Sequence, residues 1–120
     1  MRGERFEQYM AQRVALITGG GKRIGAATVS LLLDNDWFVF IHVRNSIAEA
    51  EAILQSYEQK NGSKAQAEII QADLNSDDDL TTLIGVVLNH EKVKSNGGLH
   101  ALVHNASIYS SEDYESVNLE

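Results

Sequence analysis

Val14-Ala15-Leu16-Ile17-Thr18-Gly19-Gly20-Gly21-Lys22-Arg23-Ile24-Gly25 decides the fold of this chain. A short apolar run breaks into glycines, and the glycines lead into an amphipathic segment. Val14 to Ile17 read as a strand buried on both faces, as in a parallel sheet. Gly19, Gly20 and Gly21 are expected to use backbone conformations closed to other residues, so that the chain turns sharply and passes close to a ligand. From Ile24 on, Ile24, Ala27, Leu31 and Leu32 keep helical spacing. The first turn of such a helix directs free N–H groups at the glycine turn, where a pyrophosphate would sit. The layout is that of a nucleotide-phosphate site; its bland alternative is an ordinary strand-to-helix connection.

Spacing narrows the choice of nucleotide fold. A Walker A loop needs Gly, four residues, then Gly-Lys-Ser/Thr. Here Gly21-Lys22 is followed by Arg23, and Leu16 stands five before Gly21, so that loop is excluded. The dinucleotide pattern G-x-G-x-x-G, started at Gly19 and Gly21, reaches Ile24 and falls one short of Gly25. What fits is Thr-Gly-x-x-x-(Gly or Arg)-x-Gly, with Thr18, Gly19, Arg23 and Gly25. This resembles the short-chain dehydrogenase/reductase family. Arg23 in place of the middle glycine, within Lys22-Arg23-Ile24-Gly25, resembles its pteridine-reductase branch.

The rest of the chain alternates strand and helix signals. The first strand is expected at 13–18 and the first helix at 23–35. Trp37 to Val43 is rich in aromatic and β-branched residues and predicts a second strand. Ser46, with Glu49 three residues on, forms a capping-box pattern opening a helix at 47–60. Ala50, Ile53, Leu54 and Tyr57 share one face of it, and Asn61-Gly62 ends it. A third strand is expected around Glu68 to Gln71. Asn75 or Ser76 then caps a third helix, with Leu80, Leu83, Ile84, Val87 and Leu88 as its apolar stripe. Asp77, Asp78 and Asp79 in its first turn complement the helix dipole. Adjacent carboxylates on a helix do not share a face, which speaks against a metal site there. Leu99 to His104 is the fourth strand. The order β-α-β-α-β-α-β predicts an α/β fold, a parallel sheet with right-handed crossovers and strand order 3-2-1-4, one half of a doubly wound sheet. Ligands then sit at the carboxyl ends of the strands, where residues after Ile17 and after Val103 face one cleft. The resemblance names this an NAD(P)-binding Rossmann-type fold.

Four segments are expected to meet there. The first runs from Thr18 to Gly25 and includes Gly19, Lys22, Arg23 and Ile24. The second is His42-Val43-Arg44-Asn45-Ser46, at the end of strand two. NAD sites place Asp or Glu there for the ribose hydroxyls, and this segment has neither. Arg44 can pair with a 2′-phosphate, and Asn45 and Ser46 can donate hydrogen bonds, which points to NADP(H). The alternative is a solvated Arg44 and a purely capping Ser46. The third is Asp73-Leu74, which in the family lines the adenine pocket and otherwise reads as a plain turn. The fourth, His104-Asn105-Ala106-Ser107, resembles the family's Asn-Asn-Ala-Gly motif and the Asn-Asn-Ala-Ser form of the pteridine-reductase branch. The resemblance implies that Asn105 holds the cleft wall, Ala106 leaves room for ribose and Ser107 faces nicotinamide or substrate. His104 departs from the motif's first Asn, either as a core histidine or as a substitute polar anchor.

Composition limits the remaining choices. The chain has 120 residues and no cysteine, so a disulfide framework and a thiolate metal site are excluded. A net charge of −7 argues against a nucleic-acid surface. No run is long enough to cross a bilayer, and Met1 to Gln8 lack an apolar signal core. A soluble cytoplasmic protein is the expectation. The domain reading is an arm at 1–12, a dinucleotide-binding half-domain at 13–107 and an acidic tail at 108–120.

The family's chemistry, as the resemblance implies it, is hydride transfer assisted by a Ser and a Tyr-x-x-x-Lys pair. Four residues after Tyr9, Tyr57, Tyr109 and Tyr114 stand Arg13, Asn61, Asp113 and Asn118, so no such pair exists here. The expectation is the amino-terminal, NADP(H)-binding part of a reductase acting on a pteridine-like or carbonyl substrate. The resemblance implies a homo-oligomeric parent, and a small-molecule substrate would bind only with the catalytic half present. A non-catalytic NADP-binding module or sensor, and a chain that folds poorly, are the alternatives. An open edge at strand four and uncovered apolar faces favour the first.

Overall fold

A computed structural model describes residues 11–105. Strands β1 (Val14–Thr18), β2 (Phe38–Val43), β3 (Ala67–Gln71) and β4 (Ala101–His104) alternate with helices α1 (Arg23–Asp34), α2 (Ile47–Asn61), α3 (Asp77–Leu88) and the short α4 (Glu91–Ser95). All strands are parallel, in the order β3-β2-β1-β4. This is the expected α/β arrangement, one half of a Rossmann-type doubly wound sheet. The helix at 91–95 is not among those the sequence pattern predicts. Its N-cap is His90, whose Nδ1 accepts the Lys92 N–H at 3.0 Å, a cap that a side chain outside the usual Ser/Thr/Asp/Asn set makes hard to see in sequence.

Each face of the sheet buries its own cluster. Val14, Leu16, Phe38 and Phe40 pack with Leu83 and Val87 of α3 and Val93 of α4. Ile17, Val39, Ile41 and Val43 pack on the other side with Val29 and Leu33 of α1 and Ala50 of α2. Burying a side chain such as Phe40 or Ile41 contributes about 1.5–3 kcal/mol, so these two strands carry much of the core. β1 and β2 are buried along their whole length, as the unbroken apolar runs require.

Two helices sit differently from their apolar spacing. On α1 the residues turned to the sheet are Gly25, Val29 and Leu33, one every fourth position. Ile24 is 72% exposed and Leu31 also faces out. Gly25 must lie closest to the glycine turn, and that requirement sets the rotation of the helix. On α3 only Leu83 and Val87 of the expected stripe are buried, while Leu80, Ile84 and Leu88 are exposed. Leu102 on β4 is 61% exposed, so the sheet beside Leu16 is uncovered on that face.

The caps also divide. Ser76 caps α3 as expected, its hydroxyl accepting the Asp79 N–H at 3.2 Å. Ser46 makes no side-chain cap on α2, because its backbone (ψ 40°) is not in the extended region that aims a hydroxyl at the first turn. The capping box is therefore not formed: Glu49 lies 3.9 Å from Lys22 Nζ instead. Gly62 closes α2 at φ 70°, in line with the expected Asn61-Gly62 stop.

Candidate dinucleotide site

Thr18, His42 and His104 occupy one register row across β2, β1 and β4, at the carboxyl ends of the strands. Thr18 Oγ1 accepts the Asn105 N–H at 2.8 Å and lies 3.0 Å from His104 Nδ1. One hydroxyl in an otherwise apolar strand thus ties the first expected segment to the fourth. His104 is the polar anchor, not a core histidine: it is exposed and bonded to Thr18.

The glycine turn follows directly. Only Gly19 uses the left-handed region, at φ 67°. Gly20, Gly21 and Gly25 are needed for space. A Cβ on Gly20 would lie 2.7 Å from Ile41 Cγ2, and one on Gly21 would lie 2.9 Å from Ser46 Cβ. A Cβ on Gly25 would collide with the Gly19 carbonyl oxygen and lie 2.7 Å from Asn105 Nδ2. The turn therefore nests against β2, α2 and Asn105 at once. Arg23, where the pattern otherwise has glycine, keeps a glycine-like backbone at φ 54°. A non-glycine residue there is disfavoured by about 1–2 kcal/mol. The first intrahelical bond of α1 is Ala26 N–H to the Lys22 carbonyl. The amides of Arg23, Ile24 and Gly25 precede it, and the positive end of the helix dipole lies here.

His42 is not a cleft-facing residue as expected. It is 1% exposed, and both ring nitrogens are engaged by the protein. Nδ1 accepts the Gly19 N–H at 3.2 Å, and Nε2 lies 2.8 Å from the Ala72 carbonyl, to which it donates. Its own carbonyl takes the Gly20 N–H at 3.0 Å. Burial pushes the imidazole below its ordinary 6.5; the bond to Ala72 opposes this, and the nearby charge of His104 adds to the lowering.

The second and third segments meet beyond it. Arg44 Nε lies 4.0 Å from Asp73 Oδ1, both groups being about half exposed. The carboxylate missing from 42–46 thus arrives from the end of β3. At that distance and exposure the pair is weak. Asp73 also serves the turn, its Oδ1 accepting the Asn75 N–H and its own N–H going to Asp79 Oδ2. Leu74 is partly buried against the core. Asn45 is exposed, and Ser46 backs Gly21. Ala106, Ser107, most of the amino-terminal arm and the acidic tail lie outside the described residues. Thr18, Gly20 and Gly25 lie within the first expected segment without an individual role assigned, and Asp79 is expected only to complement the helix dipole. Thr18 had a visible signal, a lone polar residue closing an apolar strand. Gly20 depends on Ile41 and Gly25 in part on Asn105, from segments far along the chain, while Asp79 acts on the nearby Asp73 amide.

Known proteins match this geometry. The family model for short chain dehydrogenase matches residues 13–120. Dihydromonapterin reductase of Enterobacter sp. (strain 638) is 38% identical over 102 residues, 84% of this chain and 36% of that protein. The short-chain dehydrogenase/reductase homolog YusS of Bacillus subtilis (strain 168) is 33% identical over 96 residues, 80% of this chain and 81% of that one. The crystal structure of FolM alternative dihydrofolate reductase 1 from Brucella canis, complexed with NADP, superposes with a TM-score of 0.60 at 31% identity, over 86% of this chain and 38% of that one. The chain thus spans just over a third of the dihydromonapterin reductase and FolM chains it matches, and most of YusS. No described helix is long and apolar enough to cross a membrane. With its glycine turn, its strand order and its Thr18–Asn105 link in place, the chain belongs to the short-chain dehydrogenase family.

Proposed function

We propose that this chain is the NADP(H)-binding part of a reductase of the pteridine-reductase-like branch, whose substrate is a pteridine-like or carbonyl compound. The carrying observation is the cradle at Gly19–Gly25, where a Cβ at Gly21 or Gly25 meets backbone or Asn105. Such a cradle with helix amides beside it suits a pyrophosphate. Gly19 and Gly20 amides are already engaged by His42, so the diphosphate would be met by the first-turn amides of α1 and by Arg23 and Lys22.

Arg44, with Asn45 and Ser46, would hold the 2′-phosphate that distinguishes NADP from NAD. Arg44 approaches Asp73 through Nε. A guanidinium carries five N–H donors, so its terminal nitrogens can still grip a phosphate. Asp73 and Leu74 would border the adenine, Asn105, Ala106 and Ser107 the ribose and nicotinamide, and the exposed Ile24 would offer apolar surface beside them. When bound, NADPH would supply a hydride; the Tyr-x-x-x-Lys pair that would direct it does not occur among these 120 residues. Support also comes from the similarity to FolM, which was crystallised with NADP.

The test is a fluorescence titration of the chain with NADPH and with NADH. NADPH should bind more tightly, and Arg44→Asp should weaken NADPH binding at least about tenfold more than NADH binding, as expected for a lost charge-assisted contact replaced by repulsion. Equal effects on both cofactors would remove the 2′-phosphate assignment. No steady NADPH oxidation with a dihydropteridine is expected from the chain alone. A second reading, an NADP-binding module without turnover, draws on the Bacillus relative, 81% of which is matched.

A further inference from the structure

We propose that His42 is a positioning residue for the cofactor site, setting the glycine turn from behind through its neutral imidazole. The role rests on the NADP(H) reading above, because the turn it holds is the cradle assigned to the diphosphate. The geometry is specific. Gly19 is the one glycine of the turn with a left-handed backbone, and its N–H goes to His42 Nδ1 at 3.2 Å. The next amide, Gly20, goes to the His42 carbonyl at 3.0 Å. Nε2 donates to the Ala72 carbonyl at 2.8 Å, one residue before Asp73. A single buried side chain therefore joins the diphosphate side of the site to the adenine side.

Two consecutive turn amides satisfied from within cannot point at a ligand, so the turn is held ready before any ligand arrives. A ligand that meets a preformed turn loses less affinity to ordering it. The bonds also require one tautomer, with hydrogen on Nε2 and a lone pair on Nδ1. His42 is buried behind the turn, its influence on the turn passes through Gly19, and the bond to Ala72 fixes the tautomer of the ring.

Two amide substitutions separate this role from mere packing. In His42→Asn the side-chain oxygen stands close to the place of Nδ1 and keeps the Gly19 bond, but the side chain is too short for Ala72. In His42→Gln the amide nitrogen reaches toward Ala72 and the acceptor for Gly19 is lost. Each variant loses one bond, so their melting temperatures should fall by similar amounts. The NADPH dissociation constant should stay within about threefold of wild type in His42→Asn and rise about tenfold in His42→Gln. In the free protein, hydrogen exchange at the Gly19 amide should remain slow in the Asn variant and become fast in the Gln variant.

Equal losses of NADPH affinity in the two variants, or slow Gly19 exchange in His42→Gln, would overturn the proposal. If the variants do not fold, the wild-type protein still decides it. Nitrogen NMR should show His42 Nδ1 without hydrogen and Nε2 with it, and the opposite tautomer would overturn the role. If wild type fails to bind NADPH, the cofactor reading falls, while Gly19 exchange and the tautomer still judge the hold of His42 on the turn.

Discussion

Thr18 and His42 are polar residues buried at the ends of central strands, and each is kept there by bonds to backbone that would otherwise be unpaired. For His42 this has a pH consequence. Its folded-state value lies below the ordinary 6.5, chiefly through burial, so the unfolded chain binds the proton more readily. The stabilising effect of the neutral ring is present above 6.5 and is lost as pH falls below it, by at most about 1.4 kcal/mol per pH unit. Thermal unfolding at pH 7.5 and 5.5 should show a larger drop for wild type than for His42→Asn, and matching drops would contradict the shift. Arg23 tells the opposite story. Its left-handed backbone, at φ 54°, is disfavoured for any side chain. Arg23→Gly should leave stability unchanged or raise it by up to about 1 kcal/mol in urea unfolding, while NADPH binding weakens. A stabilised variant with undiminished affinity would deny Arg23 a ligand role.

At the scale of elements, the two serine helix starts look alike in sequence and differ in the structure. Ser76 stands in extended backbone and its hydroxyl accepts an amide of the first turn of α3. Ser46 does not cap α2, because its Cβ is packed against the glycine turn and its backbone is turned away from the capping geometry. Ser76→Ala should therefore cost about 1 kcal/mol in chemical denaturation, and Ser46→Ala under about 0.5. Equal costs would indicate that Ser46 caps α2 after all. The rotation of α1 belongs to this scale too. Apolar spacing allowed Ile24 and Leu31 on the buried face, but the approach of Gly25 to the Gly19 carbonyl puts Val29 and Leu33 there.

At the scale of the molecule, the two faces of the sheet are unequally covered. α1 and α2 close one cluster, whereas on the other face Leu102 of β4 remains exposed; Ile84 and Leu88 of α3 are exposed as well. β4 is the outer strand of the described sheet on that side. An edge strand beside exposed apolar surface favours self-association. The double variant Leu102→Lys, Ile84→Lys should scatter less light at raised concentration. Its unfolding free energy should stay within about 1 kcal/mol of wild type, since neither side chain is in the core. Unchanged scattering would show that this face does not drive association.

The strand order, the glycine turn and the meeting of the four segments were legible in the sequence, because unbroken apolar runs and alternating helices admit few parallel topologies. Arg23, Arg44 and Asn105 were legible as residues of one sheet edge for the same reason: each follows a strand end that the topology brings there. What only the tertiary structure decided were contacts between residues far apart in the chain. His42 became a buried prop because Gly19 and Ala72 lie on either side of it. Thr18 became a junction because His104 and Asn105 arrive 86 and 87 positions later. Asp73 reached Arg44 from the next strand. Local pattern determines which segments are strands and helices, since backbone periodicity is a local property. Which polar group satisfies which depends on register across the sheet, and register exists only once the strands have paired.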